Sequence, residues 1–247
     1  MLNRFSRTEL LLGEENMSKL AQSKIAIFGI GGVGSYVAEG LARCGIGEFI
    51  LIDSDDISLT NINRQIHALE TTIGQKKTLM MKERILSINP QAKVTTIEKL
   101  YTPESNFFNW DDDYTYIVDA VDDVKAKINL IVNANKHNLP IISSMGTANK
   151  LDPQKFVITD IYKTHTCPLA RIMRKTLKQQ GIKKLKVLYS TEEPFTNYTV
   201  NFKENTSKDN SPASTRKQPL GSISFVPPIA GLMIAGEIVK DICQINR

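Results

Sequence analysis

The sequence predicts an α/β fold, Rossmann-like, with a mostly parallel sheet and flanking helices. Three observations carry this prediction: short apolar runs alternate with helix-length amphipathic segments, a glycine-rich turn follows the first apolar run, and an aspartate ends the second. The 247 residues, of which 41% are hydrophobic and 23% charged, suffice for one large domain of this kind. The composition excludes a disordered chain, a coiled coil and a collagen-like repeat.

The first half of the chain divides into strands and crossover helices. Strands buried on both faces are short continuous apolar runs, and the helices between them are apolar on one face. On this basis we predict strands at 24–28, 49–52, 93–97, 114–119 and 140–144 and helices at 32–44, 75–87 and 124–137. Strand–helix–strand units of this kind build a parallel sheet.

The second half of the chain is less regular. The pattern predicts a strand at 156–160 and a helix at 168–180, with a proline in its first turn and a glycine after its end. The segment 191–221 is rich in Ser, Thr, Asn, Lys and Pro, which predicts a long mobile loop. The apolar stretch 223–239 is interrupted by prolines and a glutamate, which favours a buried helix over membrane contact.

The turn between the first strand and the first helix predicts a phosphate site, since free backbone N–H groups and the helix dipole favour an anion there. The glycines that let the main chain approach a ligand are Gly29, Gly31, Gly32 and Gly34. Asp53 ends the next strand 19 residues after Gly34, near the spacing at which a carboxylate accepts hydrogen bonds from a ribose. Taken alone, this pattern fits NAD as well as ATP.

The residues after Asp53 favour ATP. Positions 53–65 read DSDDISLTNINRQ, and GQKK follows at 74–77. This pattern resembles the ubiquitin-activating-enzyme-like, or ThiF-type, adenylyltransferase superfamily, which includes the activators of sulfur-carrier proteins. The resemblance implies that the glycine turn packs against ATP and that Asp53 holds the ribose. It further implies a set of ATP-binding side chains, with Arg64 and Lys77 also catalytic: Asp55, Asn61, Asn63, Arg64, Gln65 and Lys77.

A later predicted strand ends in Val-Asp-Ala-Val-Asp-Asp at 118–123, at the edge where ligands of open α/β sheets bind. The superfamily has an aspartate in a D-x-x-D motif that holds Mg2+, a cation that prefers carboxylate and phosphate oxygens, and the matching residue is Asp122. The resemblance therefore implies a catalytic, ATP-binding and metal-binding role for Asp122, supported by Asp119. Asp123 fits an N-cap of the following helix at least as well as a metal role.

Arg4-Phe-Ser-Arg7, near the start of the chain, resembles the Arg-x-x-Arg motif of the superfamily. In that superfamily the second arginine enters the ATP site of the partner subunit. The resemblance therefore implies that Arg7 is a catalytic arginine acting in trans, and that the protein is a homodimer.

The cysteine count separates branches of the superfamily. Cys44, Cys167 and Cys243 form no CxxC pair, and three cysteines cannot build the four-cysteine zinc site common among carrier-protein activators. The predicted cofactors are therefore ATP and Mg2+, without zinc. Cys167 is the one candidate for a reactive thiol, because it precedes a predicted helix. Unpaired cysteines and a start unlike a signal peptide predict a cytoplasmic protein.

Several stretches outside the nucleotide motif resemble one branch, the tRNA threonylcarbamoyladenosine dehydratases. They are NRQIHA at 63–68, SMGTA at 144–148, PLAR at 168–171, YSTEEP at 189–194 and GSISFVP at 221–227. Cys167 stands where that family often has aspartate. The resemblance implies ATP-dependent cyclisation, with loss of water, of threonylcarbamoyladenosine beside the anticodon of tRNA. The route it implies is adenylation of the carboxylate, with release of AMP and pyrophosphate.

The resemblance divides the single domain into an ATP-binding part, 1–150, and a substrate-covering extension, 151–247. The chain has 31 Lys and Arg against 26 Asp and Glu, a net charge of +5, and the stretch 171–186 contains basic residues but no acid. Such a cluster can follow the phosphates of tRNA, and an ordinary exposed helix face is the alternative. The candidates for tRNA contact are Arg171, Arg174, Lys175 and Lys178.

Two other functions stay open. One is adenylation of the C-terminus of a small ubiquitin-like sulfur-carrier protein, with a sulfur-transfer protein as a further partner. The other, a nicotinamide-binding oxidoreductase or redox sensor, depends on the glycine turn and Asp53 alone. His67 lies near Arg64 in the sequence and either contacts substrate or phosphate or is a hydrogen-bonded structural histidine.

Overall fold

The computed structural model describes residues 2–195 and 220–245. Its helices are α1 (Ser6–Leu12), α2 (Glu14–Gln22), α3 (Gly34–Arg43), α4 (Lys77–Ile88), α5 (Val124–Lys136), α6 (Pro168–Gln179) and α7 (Val226–Ile242). Its strands are β1 (Lys24–Phe28), β2 (Glu48–Ile52), β3 (Lys93–Ile97), β4 (Tyr116–Asp119), β5 (Ile141–Ser144), β6 (Phe156–Asp160) and β7 (Lys186–Ser190). The predicted α/β fold with a mostly parallel sheet is confirmed.

The strands form one sheet in the order β3-β2-β1-β4-β5-β7-β6. All neighbours are parallel except β6, which runs antiparallel to β7 at one edge. Strands β1, β2 and β4 are almost wholly buried, as expected for parallel strands covered on both faces. The chain moves outward from β1 to β3 and then restarts at β4, so the strand order reverses between β1 and β4. Ligands of such sheets bind at the carboxyl ends of the strands, at this reversal.

Helix α7 confirms the prediction of a buried helix near the end of the chain. It packs directly on α3, and two glycines permit the close approach: a Cβ on Gly40 would lie 2.8 Å from the Cβ of Ala235, and one on Gly231 would lie 2.5 Å from the Val33 oxygen. This packing brings Pro227, in the first turn of α7, against the glycine turn. Across the described ranges, no helix has the length and apolar character needed to span a bilayer.

Several boundaries differ from the prediction. The helix predicted at 32–44 begins at Gly34, because the glycine turn continues through Val33. Helices α1 and α2 and strand β7 were missed, since α1 has no buried residue and β7 begins in the basic stretch. Most of the loop predicted at 191–221 lies outside the described residues, which resume at 220. The division into 1–150 and 151–247 stays a prediction.

Candidate nucleotide and substrate site

The glycine turn lies at the carboxyl end of β1, beside the strand-order reversal. Gly29 has φ +87°, and a Cβ there would lie 2.6 Å from the Ala120 oxygen. A Cβ on Gly34 would lie 1.8 Å from the Gly29 oxygen. Only glycine satisfies both positions, because the turn folds back on itself and on the end of β4. Gly31 and Gly32 form the rest of the turn, and Gly32 lies against Arg64 and Pro227.

Asp53 joins the end of β2 to the glycine turn. Its Oδ2 accepts a hydrogen bond from the Ile30 N–H at 2.7 Å, and its Oδ1 accepts one from the Asp55 N–H at 2.9 Å. Each carboxylate oxygen has more than one lone pair, so both can still accept a hydrogen bond from a ribose hydroxyl. The backbone bonds therefore fix the orientation of Asp53 without exhausting its acceptor capacity.

Lys77 is a buried cation held by a neighbouring aspartate. It is the first residue of α4, its side chain is 8% exposed, and its Nζ lies 2.6 Å from Oδ2 of Asp55. Asp55 is far more exposed, at 62% of its side chain. The structure thus pairs Asp55, predicted to bind ATP, with the predicted catalytic lysine. This pair orients the ammonium group near the segment that carries Arg64.

The segment around Arg64 is held by local hydrogen bonds. Nη1 of Arg64 donates to the Thr60 oxygen and to Oδ1 of Asn63, both at 2.9 Å. Nδ2 of Asn63 donates to the Ser222 oxygen at 3.1 Å, which connects this segment to the residues before α7. The predicted site residues Asn61 and Gln65 are both buried: Asn61 accepts from the Ser58 N–H, and Gln65 lies beside Gly31.

The motif after β4 contains three aspartates in different environments. Asp119 is fully buried, and its carboxylate binds Nζ of Lys127 at 3.0 Å and the hydroxyl of Ser143. Asp123 is the N-cap of α5 and accepts from the Ala126 N–H at 2.8 Å, which confirms the capping alternative. Asp122, between them, is exposed and makes no hydrogen bond with the rest of the described chain. Of the three, Asp122 is therefore the carboxylate open to a ligand.

The carboxylate of Asp122 fits a Mg2+ ion whose other ligands include phosphate oxygens. No cluster of three His, Cys, Asp or Glu side chains that could hold a metal is found in residues 2–195 and 220–245. Mg2+ commonly takes one or two carboxylates and completes its octahedral shell with phosphate oxygens and water. Asp122 alone can supply such a carboxylate at the edge where phosphate is expected. An all-protein metal cage is not part of this region.

His67 is 4% exposed, and neither ring nitrogen has a hydrogen-bond partner among the described residues. His67 is therefore buried, as the structural alternative expects, but the described residues supply no hydrogen bond to its ring. Burial, reinforced by the positive charges of Lys77 and Arg84, lowers the pKa of His67 to about 4. The imidazole is neutral near pH 7.

The predicted tRNA-contact residues lie on α6, after Cys167. Arg171, Lys175 and Lys178 are exposed, whereas Arg174 is partly buried and donates from Nη1 to the oxygen and hydroxyl of Thr164. Lys186, in the same basic stretch of sequence, begins β7 and pairs with two carboxylates of α7, Glu237 and Asp241. The open basic surface is therefore smaller than the sequence cluster.

The N-terminal segment lies at the opposite end of α3 from the glycine turn. Phe5 contacts Gly45, just after α3, and Nη1 of Arg4 donates to the oxygen of Ile88 at 2.8 Å. Helix α3 has 10 residues, which corresponds to a length of about 15 Å. Arg7 is exposed on α1, beside this far end. It thus projects from a part of the molecule remote from the nucleotide site of its own chain.

Cys44 and Cys243 lie in surroundings that disfavour the thiolate, and Cys167 is buried. Burial raises the pKa of the Cys44 and Cys243 thiols. Cys167 is 4% exposed as the N-cap of α6 and packs with Met145 and Tyr189. These surroundings support packing roles for all three.

Two features near β5 were missed by the sequence analysis. Lys127 of α5 neutralises Asp119, which fixes the turn that presents Asp122. Asn149, with φ +54°, binds Gly221 through its N–H and its side-chain oxygen and accepts from the Phe195 N–H. Nothing local in the sequence signals either contact, because both partners lie on other elements.

Known proteins share this fold and are similar in sequence along the chain. A ThiF family model matches residues 5–247. The tRNA threonylcarbamoyladenosine dehydratase of Bacillus subtilis is 44% identical over 247 residues, which cover 99% of this chain and 96% of that protein. Crystal structures of the E. coli tRNA N6-threonylcarbamoyladenosine dehydratase, TcdA, in complex with ATP and with AMP are each 32% identical, have TM-scores of 0.82 and 0.81, and cover 98% of this chain and 94% of that chain. This chain belongs to the ThiF family.

Proposed function

We propose that this protein is an ATP-dependent tRNA threonylcarbamoyladenosine dehydratase. The observation that carries the proposal is the similarity to proteins of that name along the whole chain, at 44% identity in the Bacillus subtilis relative. The nucleotide-binding geometry at the carboxyl end of β1 supports it independently. The reaction converts the threonylcarbamoyl side chain to a ring with loss of one water, coupled to cleavage of ATP to AMP and pyrophosphate.

The first step is adenylation of the threonyl carboxylate. A carboxylate oxygen forms a bond to the α-phosphorus, and pyrophosphate leaves with the electron pair of the bond that breaks. Both reactants are anions, and cations beside the phosphates offset their repulsion and stabilise the departing pyrophosphate. The position of Arg64 against Gly32, and the orientation of Lys77 by Asp55, support this role. Mg2+, held through Asp122, would neutralise charge on the phosphates when bound.

The second step closes the ring. A carbamoyl oxygen or nitrogen attacks the acyl carbon, AMP leaves with the electron pair of the carbon–oxygen bond, and one carbamoyl N–H proton passes to solvent. Nucleophile and electrophile belong to one side chain, so the step is unimolecular and its rate depends on positioning. No cysteine thioester is required, which agrees with the burial of Cys167.

A homodimer would complete the site with Arg7. The distance of the N-terminal segment from the nucleotide site of its own chain, at the far end of α3, supports action on a second copy. An arginine supplied in trans stabilises charge in the transition state of phosphoryl transfer. We expect an Arg7→Ala chain mixed with a Lys77→Ala chain to regain part of the activity that each lacks alone. Absence of any recovery would contradict this arrangement.

The open basic face of α6 supports tRNA as the substrate-bearing molecule. Its exposed cations are Arg171, Lys175 and Lys178. Adenylation of a sulfur-carrier protein, with a sulfur-transfer partner, is disfavoured, because the full-length similarity is to the dehydratases and the zinc-binding cysteine pairs are missing. An oxidoreductase function is disfavoured by the same full-length similarity. The expected location in the cytoplasm, where modified tRNA is found, follows from this proposal.

The test is mass spectrometry of nucleosides after modified tRNA is incubated with the protein, ATP and Mg2+. We expect threonylcarbamoyladenosine to lose the mass of one water, with AMP formed in equal amount. In parallel, pyrophosphate exchange compares modified tRNA with a carrier protein that ends in Gly-Gly. Exchange with the carrier alone, and no mass change in the tRNA, would overturn the proposal in favour of carrier activation.

A further inference from the structure

Lys150 differs from the other buried lysines of the described residues, because no carboxylate among those residues forms an ion pair with it. The structure describes three buried lysines, and two of them bind a carboxylate: Lys77 binds Asp55 at 2.6 Å and Lys127 binds Asp119 at 3.0 Å. Lys150 is 4% exposed, and no carboxylate of the described chain lies within ion-pair distance of its Nζ. Buried lysines are rare unless they are paired, because an unpaired buried charge is costly.

Among residues 2–195 and 220–245, the Lys150 ammonium makes one hydrogen bond, to the backbone oxygen of Glu192. The Glu192 carboxylate is engaged elsewhere, because it accepts from the N–H groups of Leu151 at 2.9 Å and Asp152 at 3.0 Å. Burial lowers the pKa of Lys150, and the nearby Glu192, Cys167 and Glu193 oppose that effect only in part. An ammonium group has three N–H donors, so two remain for an anion.

Lys150 lies in the loop after β5, at the carboxyl edge of the sheet that also carries the glycine turn. Strand β5 lies directly beside β4, the strand that ends at Asp119 and leads to Asp122. Lys150 follows β5, and Glu192 follows β7, at the same carboxyl edge of the sheet. Neighbouring strands are about 4.8 Å apart, so the end of β5 lies about 10 Å from the glycine turn at the end of β1, a span that a nucleotide phosphate and a joined acyl group can bridge.

A second source of positive potential lies beside Lys150. The N-terminus of α6 begins at Cys167, whose thiol is close enough to interact with the Lys150 ammonium. Cys167 makes no side-chain capping bond, so the helix dipole at this end acts on whatever lies in front of it. Lysine and helix dipole thus favour the same ligand, an anion.

We propose that the Lys150 ammonium binds the threonyl carboxylate of the modified adenosine and, after adenylation, the carbonyl oxygen of the acyl group. This inference rests on the proposed dehydratase function and names its substrate-carboxylate contact. In the first step Lys150 orients a carboxylate oxygen toward the α-phosphorus. In ring closure it stabilises the negative charge that develops on the acyl oxygen when the carbamoyl group attacks, before the bond to AMP breaks.

The first test compares two anticodon stem-loop RNAs, one carrying threonylcarbamoyladenosine and one carrying unmodified adenosine. Removing a charged hydrogen-bond partner costs affinity, so we expect the wild type to bind the modified RNA at least about tenfold more tightly. Lys150→Met should abolish this preference while leaving ATP affinity unchanged, and Lys150→Arg should restore part of it. Lys155→Met, at an exposed lysine five residues away, is the matched control and should retain the preference.

Retention of the full preference by a folded Lys150→Met protein would overturn the inference. If that variant fails to fold, a crystal structure of the wild type with the 5′-monophosphate of threonylcarbamoyladenosine decides. The inference requires a carboxylate oxygen at hydrogen-bond distance from Nζ of Lys150, and a carboxylate bound elsewhere would disprove it. Dehydration of modified tRNA by the wild type is measured separately, and its absence would overturn the proposed function. If the wild type dehydrates the tRNA and Lys150→Met keeps the preference for modified RNA, only the role of Lys150 is overturned.

Discussion

Buried lysines have different partners on the two sides of the sheet's carboxyl edge. On the nucleotide side, at β1, β2 and β4, Lys77 and Lys127 are each neutralised by an aspartate of the same chain. On the outer side, after β5 and β7, the partner of Lys150 within the described part of the chain is a backbone oxygen, that of Glu192. On the nucleotide side both buried lysines therefore have an aspartate partner before any ligand binds, whereas on the outer side Lys150 gains its counter-ion from the substrate under our proposal.

This difference in the partners of the buried lysines matches the charges of the two expected ligands, ATP and the substrate carboxylate. ATP brings several negative charges and a metal ion, so its site needs cations that are held in place and acids that hold them, as Asp55 holds Lys77. A substrate carboxylate brings a single charge. One buried lysine with no carboxylate partner among the described residues, such as Lys150, can recognise that charge, because an unmade hydrogen bond at a buried site is costly. The comparison leads to the predictions below.

The largest expected effect is on the nucleotide side, at Lys77. We expect Lys77→Ala to lower the rate of pyrophosphate exchange about 10³-fold, since the variant loses a cation that stabilises charge in the transition state. Lys76→Ala is the matched control: this neighbouring lysine also pairs with an aspartate, Asp56 at 2.7 Å, but is more exposed. Equal losses in the two variants would show that the effect is not specific to the buried lysine.

The second prediction contrasts a glycine from each side. A Cβ on Gly34 would lie 1.8 Å from the Gly29 oxygen, so Gly34→Ala should cost about 3 kcal/mol or more in the free energy of unfolding and abolish ATP binding. In the outer loop after β5, a Cβ on Gly146 would meet no atom of the described chain within 4 Å. Gly146→Ala should therefore change stability by less than about 0.5 kcal/mol in urea denaturation. A large loss at Gly146 would contradict the view that this loop is open.

The nucleotide side could be predicted from the sequence because its determinants are local. A strand, a glycine turn, a helix and Asp53 follow one another at fixed spacing, and Arg64 lies in a continuous motif. The secondary structure that surrounds them was predicted for the same reason, since periodic apolar runs reveal buried strands. The pairing of Asp55 with the buried Lys77, 22 residues away, was visible only in the fold.

The outer side could not be predicted because its contacts join distant segments. Lys150 meets Glu192 across 42 residues of sequence, and Asn149 meets Gly221 across 72. Strand β7 was missed because its first residue, Lys186, continues a basic stretch, and its charge is neutralised by α7. The same charge pattern overstated the open basic surface. In the sequence, lysines on an exposed helix face cannot be distinguished from a lysine in a strand. Only the tertiary structure shows which of them are paired with acids.

The third prediction concerns the dependence of stability on pH. Burial lowers the pKa of His67 to about 4, so below pH 6.5 the unfolded chain takes up a proton that the folded chain excludes. Stability should therefore fall as the pH decreases from 6.5 to 4, by up to about 3 kcal/mol from this residue. His67→Gln should flatten the curve of unfolding free energy against pH in that range. His165→Gln, at an exposed histidine of the outer side, should leave the slope intact; an unchanged slope in His67→Gln would assign the acid sensitivity to other groups.

The smallest expected effect is on the open face of α6. Lys175 and Lys178 are exposed, and reversing both to Glu should weaken tRNA binding about tenfold at low salt. The slope of log affinity against log salt should also fall by about 2, because two phosphate contacts are lost. Affinity for ATP should not change, since α6 lies on the outer side of the sheet edge. Lys136→Glu, an equal change in the last turn of α5, is the control for a general effect of charge. Lys136→Glu changes half as much charge as the double variant of Lys175 and Lys178. If it also causes half the loss in the free energy of tRNA binding, the attraction reflects the net charge of +5. In that case α6 has no special role in guiding the substrate to Lys150.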